Sequence, residues 1–272
     1  MPPRPPMDPP HLPRPRPLRT READVEAATD RPAPKRLSLS VVIPTLNDAD
    51  RLAGCLEPLA SAARRGIDLD VVVVDGGSTD GTLAVAEHFA GRESAGDQET
   101  GRLEIQVLVD EGAGRGARMQ AGARAAVGEW LLFLRPDSWL DRGWDATIVV
   151  FASEERNRDR AAVFDLAPLG RTEDAVRGRR IARWRNRWLG LPDGRQGFLI
   201  RRRHLSHLGG VPDLRSGEAL VLARRMGSRR IALFDVAARV NTDAQRPSWA
   251  NGVKLFLFSL RIPARWLQGF GD

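Results

Sequence analysis

Four short, continuous apolar runs constrain the fold of this chain more than any other feature. They span residues 38–44, 69–75, 103–109 and 130–134. Between the first two runs, apolar residues recur at helical spacing, at Leu52, Cys55, Leu56 and Leu59, and residues 115–127 form an alanine-rich helical pattern. Strands that are apolar on both faces and separated by helices are typical of a parallel sheet covered on both sides. The sequence therefore predicts an α/β fold, a doubly wound and mostly parallel sheet with helices on both faces.

Polar residues follow three of these runs, and ligands of such sheets bind outside the carboxyl ends of the strands. The polar segments are 44–48, 75–82 and 135–138. Asp75 is expected to project into the crevice, and the two glycines after it permit a tight turn and close approach of a ligand. Ser78 or Asp80 is expected to cap the helix that begins near Gly81. The three strand ends predict one ligand crevice.

The chain divides into four predicted parts. Residues 1–36 hold 11 of the 19 prolines and lack any apolar run, which predicts a disordered tail rich in Pro and Arg and not a signal peptide. Residues 37–140 and 141–245 are expected to form the two halves of one domain. Residues 246–272 form an amphipathic segment, too interrupted to span a bilayer. This segment is expected either to pack on the domain or to contact a membrane interface peripherally.

Net charge and cysteine content bear on the possible partners and on the cellular compartment. The net charge is +7, which suits nucleic acid, anionic lipid or phosphorylated substrates alike. The sequence has no aromatic-basic motif of an RNA-binding sheet, so no nucleic-acid partner is expected. Cys55 is the only cysteine, which excludes an internal disulfide and suits a reducing compartment. The expected location is the cytoplasm. Contact of the C-terminal segment with the inner face of the membrane is the alternative that remains open.

Four segments resemble glycosyltransferase family 2, the GT-A fold. They are SVVIPTLNDADRLAGCLEPL, DVVVVDGGSTDGT, GRGARMQAGARAAVGEWLLFLRPD and the stretch from GLPDGRQGFLIRR to GEALVLARRMG. The third and fourth are most similar to a bacterial subgroup described as arsenosugar-biosynthesis-type glycosyltransferases. The resemblance implies an inverting transferase that takes a nucleoside-diphosphate sugar as donor, with an acceptor that it does not identify. It also implies that residues 37–140 form the nucleotide-sugar-binding half of the domain and residues 141–245 the acceptor-side half.

The resemblance implies a role for each matched residue. Thr45 and Asp48 fall where the family contacts the nucleoside, and Asp75 matches the aspartate that hydrogen-bonds the base. Arg115 occupies the basic position that faces the nucleotide, with Arg118 one turn further along. These residues form the implied donor site.

For the metal site and the catalytic base, only part of each family motif is matched in this sequence. Asp137 matches the surviving aspartate of the motif that binds Mn²⁺ or Mg²⁺, and Gln196 matches the glutamine of a glycine-bounded turn. Glu218 matches the first member of a Glu-Asp pair near the catalytic base. A carboxylate there suits proton abstraction from an acceptor hydroxyl, although a Glu in the first turn of a helix is also favoured by the helix dipole alone.

Three positions depart from the family pattern. Arg135 stands where an acidic residue or His is frequent, Arg195 replaces the acidic partner in the glycine-bounded turn, and Ala219 replaces the Asp of the pair. A guanidinium binds phosphate bidentately, so Arg135 or Arg195 could replace the metal at the diphosphate. The alternative is a catalytically degenerate relative that binds a nucleotide or glycan without transfer.

Overall fold

The computed structural model describes residues 37–93, 101–112, 114–169, 179, 180, 183, 192–214 and 216–240. The predictions for the tail 1–36 and for the segment 246–272 lie outside these residues. Within the described part no helix is both long and apolar enough to cross a bilayer.

The described residues form one sheet of eight strands. The strands are β1 (Leu39–Thr45), β2 (Leu69–Asp75), β3 (Leu103–Val109), β4 (Trp130–Phe133), β5 (Ser138–Leu140), β6 (Ala161–Pro168), β7 (Phe198–Arg201) and β8 (Ile231–Val240). Their order in the sheet is β3-β2-β1-β4-β7-β6-β8-β5. The first four strands of this order are mutually parallel, β7 runs antiparallel to both of its neighbours, β6 and β8 pair in parallel, and β5 pairs antiparallel with β8. The predicted mostly parallel α/β sheet is confirmed.

Six helices are described around this sheet. They are α1 (Ala49–Ala63), α2 (Thr82–Glu93), α3 (Arg115–Ala125), α4 (Trp144–Ser153), α5 (Arg202–His207) and α6 (Glu218–Met226). Single 3₁₀ turns lie at Glu155–Asn157 and Ser228–Arg230.

The core lies on both faces of the sheet, as two apolar layers. Alternate residues of β1 belong to different layers, because Val41 and Ile43 pack with α1, α2 and α4 whereas Val42 packs with α3, α5 and α6. Close approach of α3 depends on Gly122, since a Cβ at that position would lie 2.4 Å from a methyl carbon of Val42. The sequence pattern therefore predicted the first four strands and the double covering of the sheet, but not strands β5 to β8.

Several boundaries differ from the sequence prediction. Pro44 was expected to end the first strand, but it lies inside β1 opposite Val74, and β1 covers Leu39–Thr45 instead of 38–44. The strand expected over 130–134 ends at Phe133, and the helix expected over 115–127 ends at Ala125. These differences leave the strand ends where the crevice was expected.

Candidate nucleotide cleft

An open cleft of about 360 Å³ lies where β1, β4 and the amino end of α3 converge. Its walls are Pro44, Leu46, Asp48, Gly114, Arg115, Arg118, Arg135 and Pro136. Four of the sequence-predicted site residues line the cleft: Asp48, Arg115, Arg118 and Arg135. Two more pair with these arginines, Glu218 with Arg115 and Asp137 with Arg135. The cleft occupies the carboxyl edge of the parallel strands, as predicted.

Asp75, at the end of β2, is fully buried and holds its own loop together. Its Oδ1 accepts hydrogen bonds from the hydroxyls of Thr45 (3.1 Å) and Ser78 (2.5 Å). Its Oδ2 accepts from the backbone N–H groups of Gly77 (2.9 Å) and Ser78 (2.7 Å). A carboxylate offers about four acceptor positions, so all of them are taken here. Burial acts to raise the pKa of Asp75, but these hydrogen bonds outweigh burial and hold the pKa below its ordinary value.

The loops after β1 and β2 are joined by a second set of hydrogen bonds. Asn47, with φ of 54°, donates its N–H to Ser78 Oγ (2.8 Å) and accepts from the Thr79 N–H through Oδ1 (2.9 Å). Asp80 accepts from the N–H groups of Ala49 and Thr82. Of the two residues expected to cap this helix, Asp80 therefore supports the start of α2. The Ser78 hydroxyl instead donates to Asp75. Asn47 was not singled out from the sequence, although Asn tolerates a positive φ better than most residues.

Thr45 and Asp48 occupy different positions relative to the cleft. Thr45 is fully buried, and its hydroxyl donates to Asp75. Asp48 lines the cleft, where its Oδ2 accepts the Leu46 N–H (3.0 Å) and its Oδ1 pairs with Arg51 (3.3 Å). Of the two residues expected at the nucleoside, only Asp48 presents its side chain to the cleft.

Arg115, the first residue of α3, forms a bidentate ion pair with Glu218, the first residue of α6. Arg115 Nε lies 3.1 Å from Oε1 and Nη2 lies 2.7 Å from Oε2. The Glu218 side chain is 2% exposed, whereas that of Arg115 is 21% exposed and lines the cleft. This pair joins residues 103 positions apart and brings two sequence-predicted site residues into direct contact.

Arg135 and Asp137, after β4, form a second bidentate pair. Arg135 Nε lies 2.9 Å from Asp137 Oδ1, and Nη2 lies 2.8 Å from Oδ2. The carbonyl of Arg135 accepts a hydrogen bond from the buried Cys55 thiol at 3.4 Å. The backbone of the turn after β4 is therefore tied to α1 by this hydrogen bond. Within the turn, the charges of Arg135 and Asp137 neutralise each other.

The surroundings of Asp137, the acidic residue expected to bind a divalent cation, do not suit such an ion. Both oxygens of Asp137 are engaged by Arg135, and Arg195 is close enough for the two charges to interact. Over the described ranges, no group of three or more His, Cys, Asp or Glu side chains could hold a metal ion. A hard cation needs several oxygen ligands, which this corner of the cleft does not offer.

Arg195 and Gln196 lie in the turn before β7 and are not among the residues that line the cleft. Arg195 forms a bidentate pair with Asp193, with both contacts at 3.1 Å. Burial acts to lower the pKa of Arg195, but Asp193 and, after it, Asp137 raise it above the ordinary value. Gln196 is fully buried, donates to the Phe164 carbonyl (2.8 Å) and accepts from the Asp193 N–H (2.7 Å). Gln196 thus shapes the turn that carries Arg195, and its amide is not available to a ligand.

Comparison with known proteins gives a family match. Residues 40–209, more than half of the chain, match the model of Glycosyl transferase family 2. A "PGL/p-HBAD biosynthesis glycosyltransferase" of Mycobacterium tuberculosis is 38% identical over 121 residues, 44% of this chain and 43% of that protein. Glycosyltransferase AglE of Haloferax volcanii is 32% identical over 111 residues, 39% of this chain and 34% of that protein. The matched stretch thus spans less than half the length of these curated relatives.

Solved structures show the same fold at low identity. A mannosyltransferase from Pyrobaculum calidifontis, in complex with GDP-Man and Mn²⁺, aligns with a TM-score of 0.60 at 18% identity, over 89% of this chain and 71% of that one. TarS of S. aureus, in complex with UDP-GlcNAc, aligns with a TM-score of 0.57 at 15% identity, over 85% of this chain and 69% of that one. These likenesses concern the fold, and the finer resemblance to the arsenosugar-type subgroup stays a prediction.

Proposed function

The chain belongs to glycosyl transferase family 2, and we propose that it transfers a sugar from a nucleoside-diphosphate donor to an acceptor hydroxyl with inversion. One observation carries this proposal: the cleft at the carboxyl edge of the parallel strands is lined by Arg115, Arg118 and Arg135. Such a cleft suits a diphosphate, because guanidinium groups bind phosphate oxygens bidentately.

The diphosphate is proposed to lie between the amino end of α3 and the turn after β4. The α3 N-cap is Gly114, which has no side chain to cap the helix, and the Gly116 N–H donates to the Leu214 carbonyl (2.9 Å). The positive end of the helix dipole favours an anion nearby, and Arg115 and Arg135 lie beside it on the cleft wall. The nucleoside then extends toward Asp48 and the end of β2.

Arginine is proposed to stabilise the leaving diphosphate in place of a metal. The solved relatives include complexes with Mn²⁺, but Asp137 is neutralised here by Arg135. Arg135 is 30% exposed and Asp137 15% exposed, so the guanidinium can turn from its partner toward a phosphate. Charge that develops on the leaving group is then met by this guanidinium.

Glu218 is proposed as the base that receives the acceptor proton. In transfer, the acceptor oxygen attacks the anomeric carbon, the bond from that carbon to the diphosphate oxygen breaks, and the hydroxyl proton passes to the carboxylate. Glu218 is bound by Arg115, so it becomes available only when Arg115 turns to the diphosphate. Donor binding would thus release the base, leaving a buried carboxylate without its counter-ion.

The test is transfer or hydrolysis of a panel of UDP- and GDP-sugars, followed by mass spectrometry, in EDTA and in Mn²⁺. We expect nucleoside diphosphate release with at least one donor, and loss of release in Arg115→Met. Arg102→Met removes an exposed arginine that pairs with Glu104 and serves as the matched control. Donor binding without any turnover over the whole panel would contradict the transferase proposal.

A further inference from the structure

A second cluster of charged side chains lies at the same edge of the sheet as the cleft. β7 is antiparallel to both β4 and β6, so β4 and β6 run in the same direction and end at the same edge. Asp165 lies near the end of β6, and the N–H of the preceding Phe164 donates to the Gln196 carbonyl at 3.0 Å. Only β7 and the turn before it therefore separate Asp165 from the end of β4.

The Asp165 side chain projects to the face of the sheet that carries α3 and α6. Val163 packs in the apolar layer with these helices, and Phe164 packs in the opposite layer. Because side chains alternate along a strand, Asp165 lies on the same face as Val163. Glu218, the proposed base, begins α6 on that face. An acceptor with a hydroxyl at Glu218 would extend over the start of β7 toward Asp165.

Two arginines share one oxygen of Asp165. Oδ2 accepts hydrogen bonds from Nε (3.1 Å) and Nη2 (2.6 Å) of Arg179 and from Nη1 (3.0 Å) of Arg183. Arg183 Nη2 also lies 4.0 Å from Asp235 Oδ1, but that carboxylate is fully exposed and water screens the pair. Two positive charges thus meet one buried negative charge. Each guanidinium has five N–H donors, so most of these donors are not used on Asp165.

Exposure and pairing differ across this cluster. The Asp165 side chain is 1% exposed, whereas the side chains of Arg179 and Arg183 are 43% and 46% exposed. Asp165 Oδ1 is buried and has no hydrogen-bond donor among the residues that the structure describes. A buried acceptor without a donor is costly, so a ligand hydroxyl that donates to Oδ1 is favoured. The surplus positive charge beside it favours an anionic group on the same ligand.

We propose that Arg179, Arg183 and Asp165 form an acceptor subsite for a phosphorylated polyol. The phosphate binds the exposed guanidinium groups, and as these turn toward it Asp165 Oδ1 accepts a hydrogen bond from a hydroxyl of the same molecule. The inference rests on the proposed function, because it names the class of acceptor whose second hydroxyl reaches Glu218. A soluble polyol phosphate and a phospholipid headgroup share this chemistry, and the experiment separates them.

Binding assays on the full chain test the subsite. Calorimetry compares glycerol 3-phosphate with glycerol, and vesicle co-sedimentation compares phosphatidylglycerol with phosphatidylcholine. We expect the phosphorylated polyol to bind in at least one of these forms, and neither glycerol nor phosphatidylcholine to bind measurably. Binding of glycerol 3-phosphate assigns a soluble acceptor, and binding of phosphatidylglycerol vesicles alone assigns a lipid headgroup. Arg179→Met and Arg183→Met should each weaken this binding roughly 10-fold, the scale of one charge-assisted hydrogen bond.

Arg180→Met is the matched control, because Arg180 is the exposed neighbour of Arg179 and is not among the described partners of Asp165. It should keep the wild-type affinity, and thermal unfolding of all three variants checks that they fold. An equal loss in Arg180→Met, or no loss in Arg179→Met, would overturn the subsite. A loss confined to Arg115→Met would also overturn it, by placing the phosphate in the donor cleft.

Titration with UDP and GDP separates this inference from the proposed function. Nucleotide binding without binding of either polyol phosphate would overturn the subsite and leave the donor site standing. Polyol phosphate binding that is lost in Arg179→Met, without binding of any nucleotide, would support the subsite and overturn the transferase proposal.

Discussion

The cleft holds its carboxylates in two different ways. Asp75, at the end of β2, is held by neutral donors: two hydroxyls and two backbone N–H groups. Asp137 and Glu218, across the cleft, are each held by one guanidinium. Backbone N–H groups cannot leave without unfolding the loop, whereas a guanidinium on a flexible side chain can turn to another anion. The end of β2 is therefore a fixed scaffold, and the opposite side is exchangeable.

This difference changes how a family match should be interpreted. The resemblance assigns all three acidic residues to ligand, metal or proton chemistry. Their surroundings separate them, because Asp75 has no acceptor position left, whereas Glu218 and Asp137 become available when their arginines move. The predictions that follow probe the fixed side first and the exchangeable side second.

Asp75→Ala should have the largest effect. It leaves two buried N–H groups and two hydroxyls without their acceptor, and we expect a loss of about 3 kcal/mol in the free energy of unfolding. Urea denaturation measures this loss, and Asp75→Asn is the matched variant, because it keeps the shape and part of the acceptor set. An unfolding free energy unchanged in both variants would contradict a scaffold role.

The same comparison carries a pH dependence. A carboxyl whose pKa is lowered on folding stabilises the protein above its unfolded pKa, and that contribution is lost as the pH falls through the folded pKa. The pKa of Asp75 is lowered, so the stability gap between wild type and Asp75→Asn should persist at neutral pH. It should shrink below about pH 3.9, the ordinary Asp value.

Glu218→Gln should lower kcat by about 10²-fold if the proposed base is correct. The amide cannot accept the proton, and it holds Arg115 less strongly than the carboxylate does, so donor affinity should be retained or increased. Glu129→Gln is the matched control, because Glu129 pairs with Arg201 at the other end of β4. Full activity in Glu218→Gln would remove the base assignment, and a loss confined to KM would indicate a purely structural ion pair.

Metal dependence should be smaller, with EDTA or Mn²⁺ changing the wild-type rate by less than about 3-fold, because the arginines already supply the positive charge. Arg135→Gln should weaken donor binding by roughly 10-fold, the scale of a charge-assisted hydrogen bond. It also frees Asp137, so Mn²⁺ should stimulate this variant more than wild type. Complete loss of wild-type activity in EDTA, restored by Mn²⁺, would return Asp137 to a metal-ligand role.

Cys55 should show the smallest effect. Burial raises the pKa of its thiol well above the ordinary value, and the thiol donates to the Arg135 carbonyl. We expect no reaction with a thiol reagent at pH 8 in the folded protein, and full reaction in urea. Rapid labelling of the folded chain would mean that the turn after β4 opens from α1, so that its backbone moves as well as its side chains.

The sequence predicted the secondary-structure elements better than the contacts between side chains. β2 and β3 have the expected bounds because their β-branched runs fit a sheet buried on both faces. Pro44 was expected to end β1, yet a proline is tolerated inside this strand, where it lies opposite Val74. Local pattern thus gave the layers of the fold and the edge that carries the cleft.

The contacts between distant side chains could not be predicted from local sequence patterns. Arg115 and Glu218 were both singled out, but their contact spans 103 positions and appears only once α3 and α6 lie together on one face of the sheet. The amide of Gln196 matched a family position, while its use by the backbone of Phe164 and Asp193 depends on the packing of β6 against β7. Residue types reveal which chemistry is present, and tertiary packing decides which of those groups a ligand can reach.

The strand order also dictates when the cleft is completed during synthesis. Strands β1 to β4 come from residues 39–133 and already carry the Asp75 loop. β7 then docks on β4 from 65 or more residues away, and α6 follows with Glu218. Long-range pairings of this kind form late, because their loop-closure cost is met only after the local units exist. A nascent chain should therefore carry the finished Asp75 loop while Arg115 still lacks Glu218, its partner on α6.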